Sequence, residues 1–142
     1  MAPRRVLRAT FLAAAKADIG RLAEDDTVLA TLALRKVKEL ERGGADGVPL
    51  EEMALTGDLG DCRKLYFGLG RAPSHRIVYR DLGEDQGVEI LEVVAVESRA
   101  ELYAYLLAAA RLGRLPIESR PRFNRLHQQV IQGRATRRGR RS

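Results

Sequence analysis

Tryptophan is absent from these 142 residues, cysteine occurs once and histidine twice. A single thiol, Cys62, leaves no partner for an internal disulfide and no second sulfur for a metal cluster. That usage fits a reducing compartment, so the chain is expected in the cytoplasm. No apolar run approaches the roughly 20 residues that a membrane span needs, and no membrane partner is expected. There is no Walker loop, no Rossmann glycine fingerprint and no HExxH helix. Gly68-Leu69-Gly70 lacks the remainder of a dinucleotide loop and reads as a turn. Neither a cofactor nor a metal is therefore expected. Arg4, Arg5 and Arg8 precede a small apolar stretch, Ala9 to Ala15, but it is short for a leader and Lys16 and Asp18 end it at once. It is expected to stay in the folded chain.

What is plentiful is arginine, and it is unevenly placed. The net charge is +6. Residues 1–113 hold 16 Lys and Arg against 18 Asp and Glu, whereas residues 114–142 hold nine Arg and one acid, Glu118. The length suits one domain. We therefore read residues 1–113 as that domain and 114–142 as an Arg-rich extension, partly helical or disordered. Such a tail fits phosphates or an acidic protein, and equally a solvated terminus.

Along the chain, Val6 and Leu7 suggest a first, edge strand. Leu12, Ala15, Ile19 and Leu22 then recur at spacings of three and four, as on one face of a helix. Asp25 or Asp26 caps a second helix, whose stripe is Leu29, Ala33, Val37 and Leu40 and which Gly43 and Gly44 end. A connector follows, with a helical turn expected near Glu51–Leu55. Three strands come next: Arg63–Phe67, His75–Arg80 and Val88–Val96, with loops at Gly68–Pro73 and Asp81–Gly87, so antiparallel pairing is expected. Ser98 and Glu101 form a capping box that opens another helix, ended by Gly113. Phe123, Leu126, Val130 and Ile131 are spaced to line a short last helix. The fold class is α+β: an N-terminal helical hairpin packed on one face of a small antiparallel β-sheet, then a C-terminal helix and the basic tail.

Cations and phenols recur at the strands and at the junction to the third helix. They are Arg63, Lys64, Arg76 and Arg99, with Tyr66, Tyr79, Tyr103 and Tyr105. Alternation lets such side chains converge on one sheet face. Guanidinium forks stabilise a phosphodiester as it becomes pentacovalent. Cleavage of RNA further needs a base for the 2′-OH and an acid for the leaving oxygen. A solvated basic face with tyrosines in the core fits the same spacing.

Leu55-Thr56-Gly57-Asp58 running into Asp61–Leu65, then His75-Arg76-Ile77-Val78-Tyr79-Arg80, then Val93–Val96 with Ser98-Arg99 and the helix to Leu112, resemble the RelE/ParE toxin superfamily over roughly residues 5 to 113. The resemblance implies the toxin of a type II toxin–antitoxin system, favouring a RelE-like mRNA interferase, a ribosome-dependent endoribonuclease. Its partners would be a cognate antitoxin, the ribosome and mRNA. It also implies a catalytic set of Lys64, Arg76, Arg99 and Tyr105, with Arg63, Tyr66 and Tyr103 in substrate binding; whether Tyr103 or Tyr105 is the functional phenol stays open. Tyr66 stands where RelE-like sequences often carry a second lysine, and His75 replaces an aromatic. The alternatives are a ParE-like inhibitor of DNA gyrase that acts by binding, and a non-catalytic nucleic-acid-binding module on the same fold.

Overall fold

The helical hairpin forms where the three-and-four spacing put it. In the computed structural model, residues 7–43, 47–50, 56–69, 74–98 and 102–141 are described, residues 134–141 by their backbone alone. Helix α1 spans Ala13–Asp25 and α2 spans Thr27–Glu41. Of the two candidate caps it is Asp26 that serves, its side chain accepting from the amides of Val28 and Leu29. Gly43 closes α2 with φ +73, in the left-handed region that glycine enters without steric cost. The turn expected at Glu51–Leu55 lies outside the described residues.

One strand, β1 (Leu7–Phe11), precedes the hairpin. After it come β2 (Val48–Pro49), β3 (Cys62–Phe67), β4 (His75–Asp85) and β5 (Val88–Ser98), in the order β1-β5-β4-β3-β2. The expectation of an antiparallel sheet is corrected: β1 pairs parallel to β5, so the sheet is mixed. Alternation of side chains fixes which face a strand shows, not the direction of its neighbour. The loop expected at Asp81–Gly87 is likewise mostly strand. β4 and β5 continue as a solvated ribbon to a two-residue turn at Gln86 and Gly87, both with positive φ. That is a turn whose twist suits a hairpin. Exposed polar residues carry no burial pattern, so the ribbon reads as a loop in the sequence.

Helices cover both faces, rather than one. Ala15, Ala33, Val37 and Leu40 from the hairpin pack with Leu65, Phe67, Ile77, Tyr79 and Val93. On the other face, α3 (Tyr103–Arg111) packs Leu106, Leu107 and Ala108 with Cys62, Val78, Val94 and Ala95. Val94 and Ala95 reach the same side because the register slips between Val78 and Tyr79, which inserts one extra residue. Ser98 ends β5 instead of opening a helix. Glu101, its expected capping partner, lies outside the described residues, and α3 starts after Leu102, at φ +67 and without a side-chain cap. The tail is one helix, α4 (Arg120–Arg141), with Pro121 in its first turn, where no amide donor is needed. Leu126 is buried against α3, and Phe123 and Val130 lie on the same core.

Polar side chains finish the sheet borders. Glu41 of α2 accepts from the Ala9 amide of β1 at 3.0 Å. β1 pairs only with residues 89–93 of β5. Beyond that point Asp18 of α1 accepts from the Val96 amide at 2.9 Å, and Arg111 of α3 donates to the Val94 carbonyl at 3.0 Å. Arg111 also grips Asp18 with two bonds of 2.6 and 2.8 Å, and Arg21 adds a third at 2.6 Å. The Asp18 side chain is wholly buried. One carboxylate thus ties the two helical layers around the border of the sheet. Among the described residues, no helix is long and apolar enough to cross a membrane.

Candidate functional site

Alternation along β3 decides which residues meet. Cys62, Lys64 and Tyr66 project toward α3, whereas Leu65 and Phe67 join the core beneath the hairpin. Tyr66 lies opposite Arg76 of β4 in register. Tyr105 comes down from α3 onto the same spot. The Arg76 guanidinium carbon sits 4.6 Å from the centre of the Tyr105 ring and 5.4 Å from that of Tyr66. The Lys64 ammonium is 5.6 Å and 5.5 Å from the same two rings. Two cations are therefore held between two phenols, an arrangement that ring quadrupoles favour.

The cluster is graded from wet to dry. Lys64 and Tyr66 are half-buried, while Arg76 keeps 9% and Tyr105 5% of its surface. Nε and Nη1 of Arg76 are sealed from solvent, and no described residue accepts a hydrogen bond from either. The sealed Tyr105 hydroxyl likewise lacks a partner of hydrogen-bond geometry, with the Tyr66 phenol as an electrostatic neighbour. Buried donors without acceptors are rare and costly. Glu97, also buried, stands opposite Arg76 across the β4–β5 pair, so the surroundings are not uniformly positive. Beside the cluster a cleft of about 190 Å³ opens, lined by Val48, Pro49, Leu50, Thr56, Leu59, Lys64 and Tyr105.

Proximity sets the protonation. The Lys64 ammonium holds the Tyr66 phenol below its ordinary value of 10.0, and Arg76 adds to this. Lys64 is itself raised by the Tyr66 phenol and stays cationic. Burial pushes Tyr105 up, so it keeps its proton. Tyr66 is thus the phenol of the pair that gives up its proton more readily, and Lys64 the group that holds charge. Near-ultraviolet absorbance should show a tyrosine titrating ahead of the others. Tyr66→Phe should remove that first step and Lys64→Met should move it to higher pH. A first step unaffected by either substitution would refute the pairing.

The other expected residues lie elsewhere. Arg63 is exposed and donates to the Gly47 carbonyl at 2.8 Å. It anchors the connector where Gly47 also donates its amide to the Tyr79 hydroxyl, so close that a Cβ on Gly47 would fall 2.5 Å from that oxygen. Tyr103 is buried; its hydroxyl pairs with Nδ1 of His127 at 2.9 Å and its ring stacks with Phe123, fixing α4 to α3. Arg99 lies outside the described residues. His75 rests against Phe67 on the hairpin side, and burial lowers its pKa, so it is a neutral packed residue. Cys62 is no nucleophile, since burial pushes its thiol up to about 12. The cleft residues Val48–Leu50 were not foreseen as site residues, since the sequence marks them only as a connector punctuated by glycine, aspartate and Pro49, and Thr56 was noted only within the Leu55–Asp58 element of the resemblance.

No protein-family model, no curated protein and no solved structure matches the chain.

Proposed function

We propose that the chain is a RelE-type toxin of a type II toxin–antitoxin pair, a ribosome-dependent mRNA endoribonuclease whose site is the Lys64–Tyr66–Arg76–Tyr105 cluster. One observation carries this reading: Lys64 and Arg76 bring two cations together between the Tyr66 and Tyr105 rings, and Lys64 and Tyr105 line the cleft beside them. A phosphate oxygen is the acceptor such cations fit best. The class, the ribosome and the antitoxin come from the sequence resemblance. The catalytic set comes from it too, and the geometry supports it by bringing Lys64, Arg76 and Tyr105 together with Tyr66.

As the phenolate that the Lys64 ammonium favours, Tyr66 takes the proton of a 2′-hydroxyl, which attacks the adjacent phosphorus. Arg76 offsets the charge that grows on the non-bridging oxygens, where prepositioned donors act most strongly. The bond to the 5′-oxygen breaks, and Lys64, held as an ammonium, supplies charge or a proton to that oxygen. The products are a 2′,3′-cyclic phosphate and a free 5′-hydroxyl. Tyr105, protonated and buried beside the cleft, backs Arg76 and Lys64 with its ring and holds the two cations in place.

Transcript mapping in cells expressing the chain without its genomic neighbour tests the reading. Cuts spaced by codons and carrying cyclic-phosphate ends are expected. DNA breaks with intact transcripts would instead point to gyrase inhibition on the same fold. Growth arrest with neither would leave binding alone.

A further inference from the structure

Helix α4 carries eight arginines and no acidic residue over Arg120–Arg141. Its first half packs through Phe123, Leu126 and Val130. Arg120, Arg122 and Arg125 on those turns are exposed. Past Gly133 the sequence is Arg-Ala-Thr-Arg-Arg-Gly-Arg-Arg, with nothing apolar beyond alanine. Arg134 and Arg138, and again Arg137 and Arg141, are four apart, a spacing at which like charges oppose a helix. A stretch that is polar all round and self-repelling has no packing reason to be helical. A polyanion supplies one.

We propose that α4 is an RNA-docking helix, whose arginines grip the phosphate backbone of structured RNA and hold the chain there while the Lys64–Arg76 site works. This rests on the reading of that site as one acting on RNA. The extension uses arginine and no lysine; guanidinium forks take two phosphate oxygens at once. An acidic protein surface fits less well, because the Trp and Tyr anchors that accompany Arg at the centre of tight protein interfaces are missing from residues 134–142. The helix is also tied to the site. The Tyr103–His127 bond and the Phe123 stack fix α4 to α3, and α3 carries Tyr105.

The test measures binding of the full chain to a fluorescent RNA duplex across a salt series. The variant changes Arg134, Arg137, Arg138 and Arg141 to Gln together, which keeps helix propensity and the packed first half. Each phosphate contact contributes about −0.7 to −0.9 to the slope of log K against log salt, so four lost contacts flatten it by about 3 units. Affinity at low salt should fall at least tenfold, and an Arg-to-Lys version of the same four should restore the slope. Equal slopes for wild type and Gln variant overturn the proposal. So does displacement of the RNA by polyglutamate or duplex DNA more readily than by unlabelled RNA. Arg76→Ala separates the two readings. It should lose cleavage while its salt slope changes by no more than about one contact, against about 3 units for the Gln variant. If it stays fully toxic, the site reading fails whatever α4 does. If it loses activity while the Gln variant binds unchanged, only the α4 proposal fails.

Discussion

Asp18→Ala should lower the free energy of unfolding by about 3–5 kcal/mol, the cost of breaking a buried ion pair from one side. Three groups lose their partner at once: the Arg111 guanidinium, Arg21 and the Val96 amide. Arg111 is left largely buried with its charge uncompensated. For a domain of this size the loss corresponds to a fall in Tm of roughly 10 °C or more. Asp18→Asn should retain part of the stability, because the amide oxygen can still accept from Val96. Replacing Asp18 and Arg111 together by apolar residues should recover more than the sum of the single losses predicts, since neither charge is then stranded. Urea unfolding of wild type, Asp18→Ala, Arg111→Met and the variant carrying both closes the cycle. Additive losses would show that the carboxylate does not join the layers.

Arg76→Met should show the opposite pattern. Cleavage should fall by about 10²- to 10³-fold, the usual effect of removing one prepositioned donor at a developing oxyanion. Stability should change little, because removing two unsatisfied donors offsets the loss of a cation opposite the buried Glu97. The substitution removes a buried guanidinium with two unsatisfied donors and leaves an apolar chain of similar length between the Tyr66 and Tyr105 rings. Loss of activity without a matching loss of stability marks a group retained for function rather than for the fold. A strong loss of stability, with activity lost in proportion to the unfolded fraction, would make Arg76 a structural residue. Transcript cleavage and thermal melts on the same preparation decide between them.

Much of this was legible because periodicity reports burial. The stripe Leu29, Ala33, Val37 and Leu40 gave α2, and Asp26 its start. The alternation in His75–Arg80 set Arg76 on one face and Ile77 and Tyr79 on the other, as observed. Alternation also united Lys64, Tyr66 and Arg76. Tyr105 rather than Tyr103 meets them because of how α3 is rotated on the sheet, which the spacing of two tyrosines two residues apart leaves open. Arg63 was grouped with them by residue type, although β3 alternation turns it away. Asp18 gave no signal at all. A carboxylate in an alanine-rich helix reads as solvent-facing unless its partners, 78 and 93 residues away, are known. The parallel pairing of β1 and the run of β4 and β5 into solvent depend on neighbours, not on local pattern. Helix α4 was expected to be short because its apolar spacing ends at Ile131.

The treatment of the sheet borders limits how other chains approach. Glu41 occupies an amide of β1, Asp18 and Arg111 occupy β5 where β1 stops, and the far side ends in the two residues of β2, one of them Pro49. Proline there cannot donate, and so short a strand is a poor template. At these positions the main-chain groups are already taken or missing, so an incoming strand finds no continuous template there. A binding protein must then recognise this molecule through side chains and grooves, and variants that unseat Glu41 or Asp18 become the ones prone to self-association.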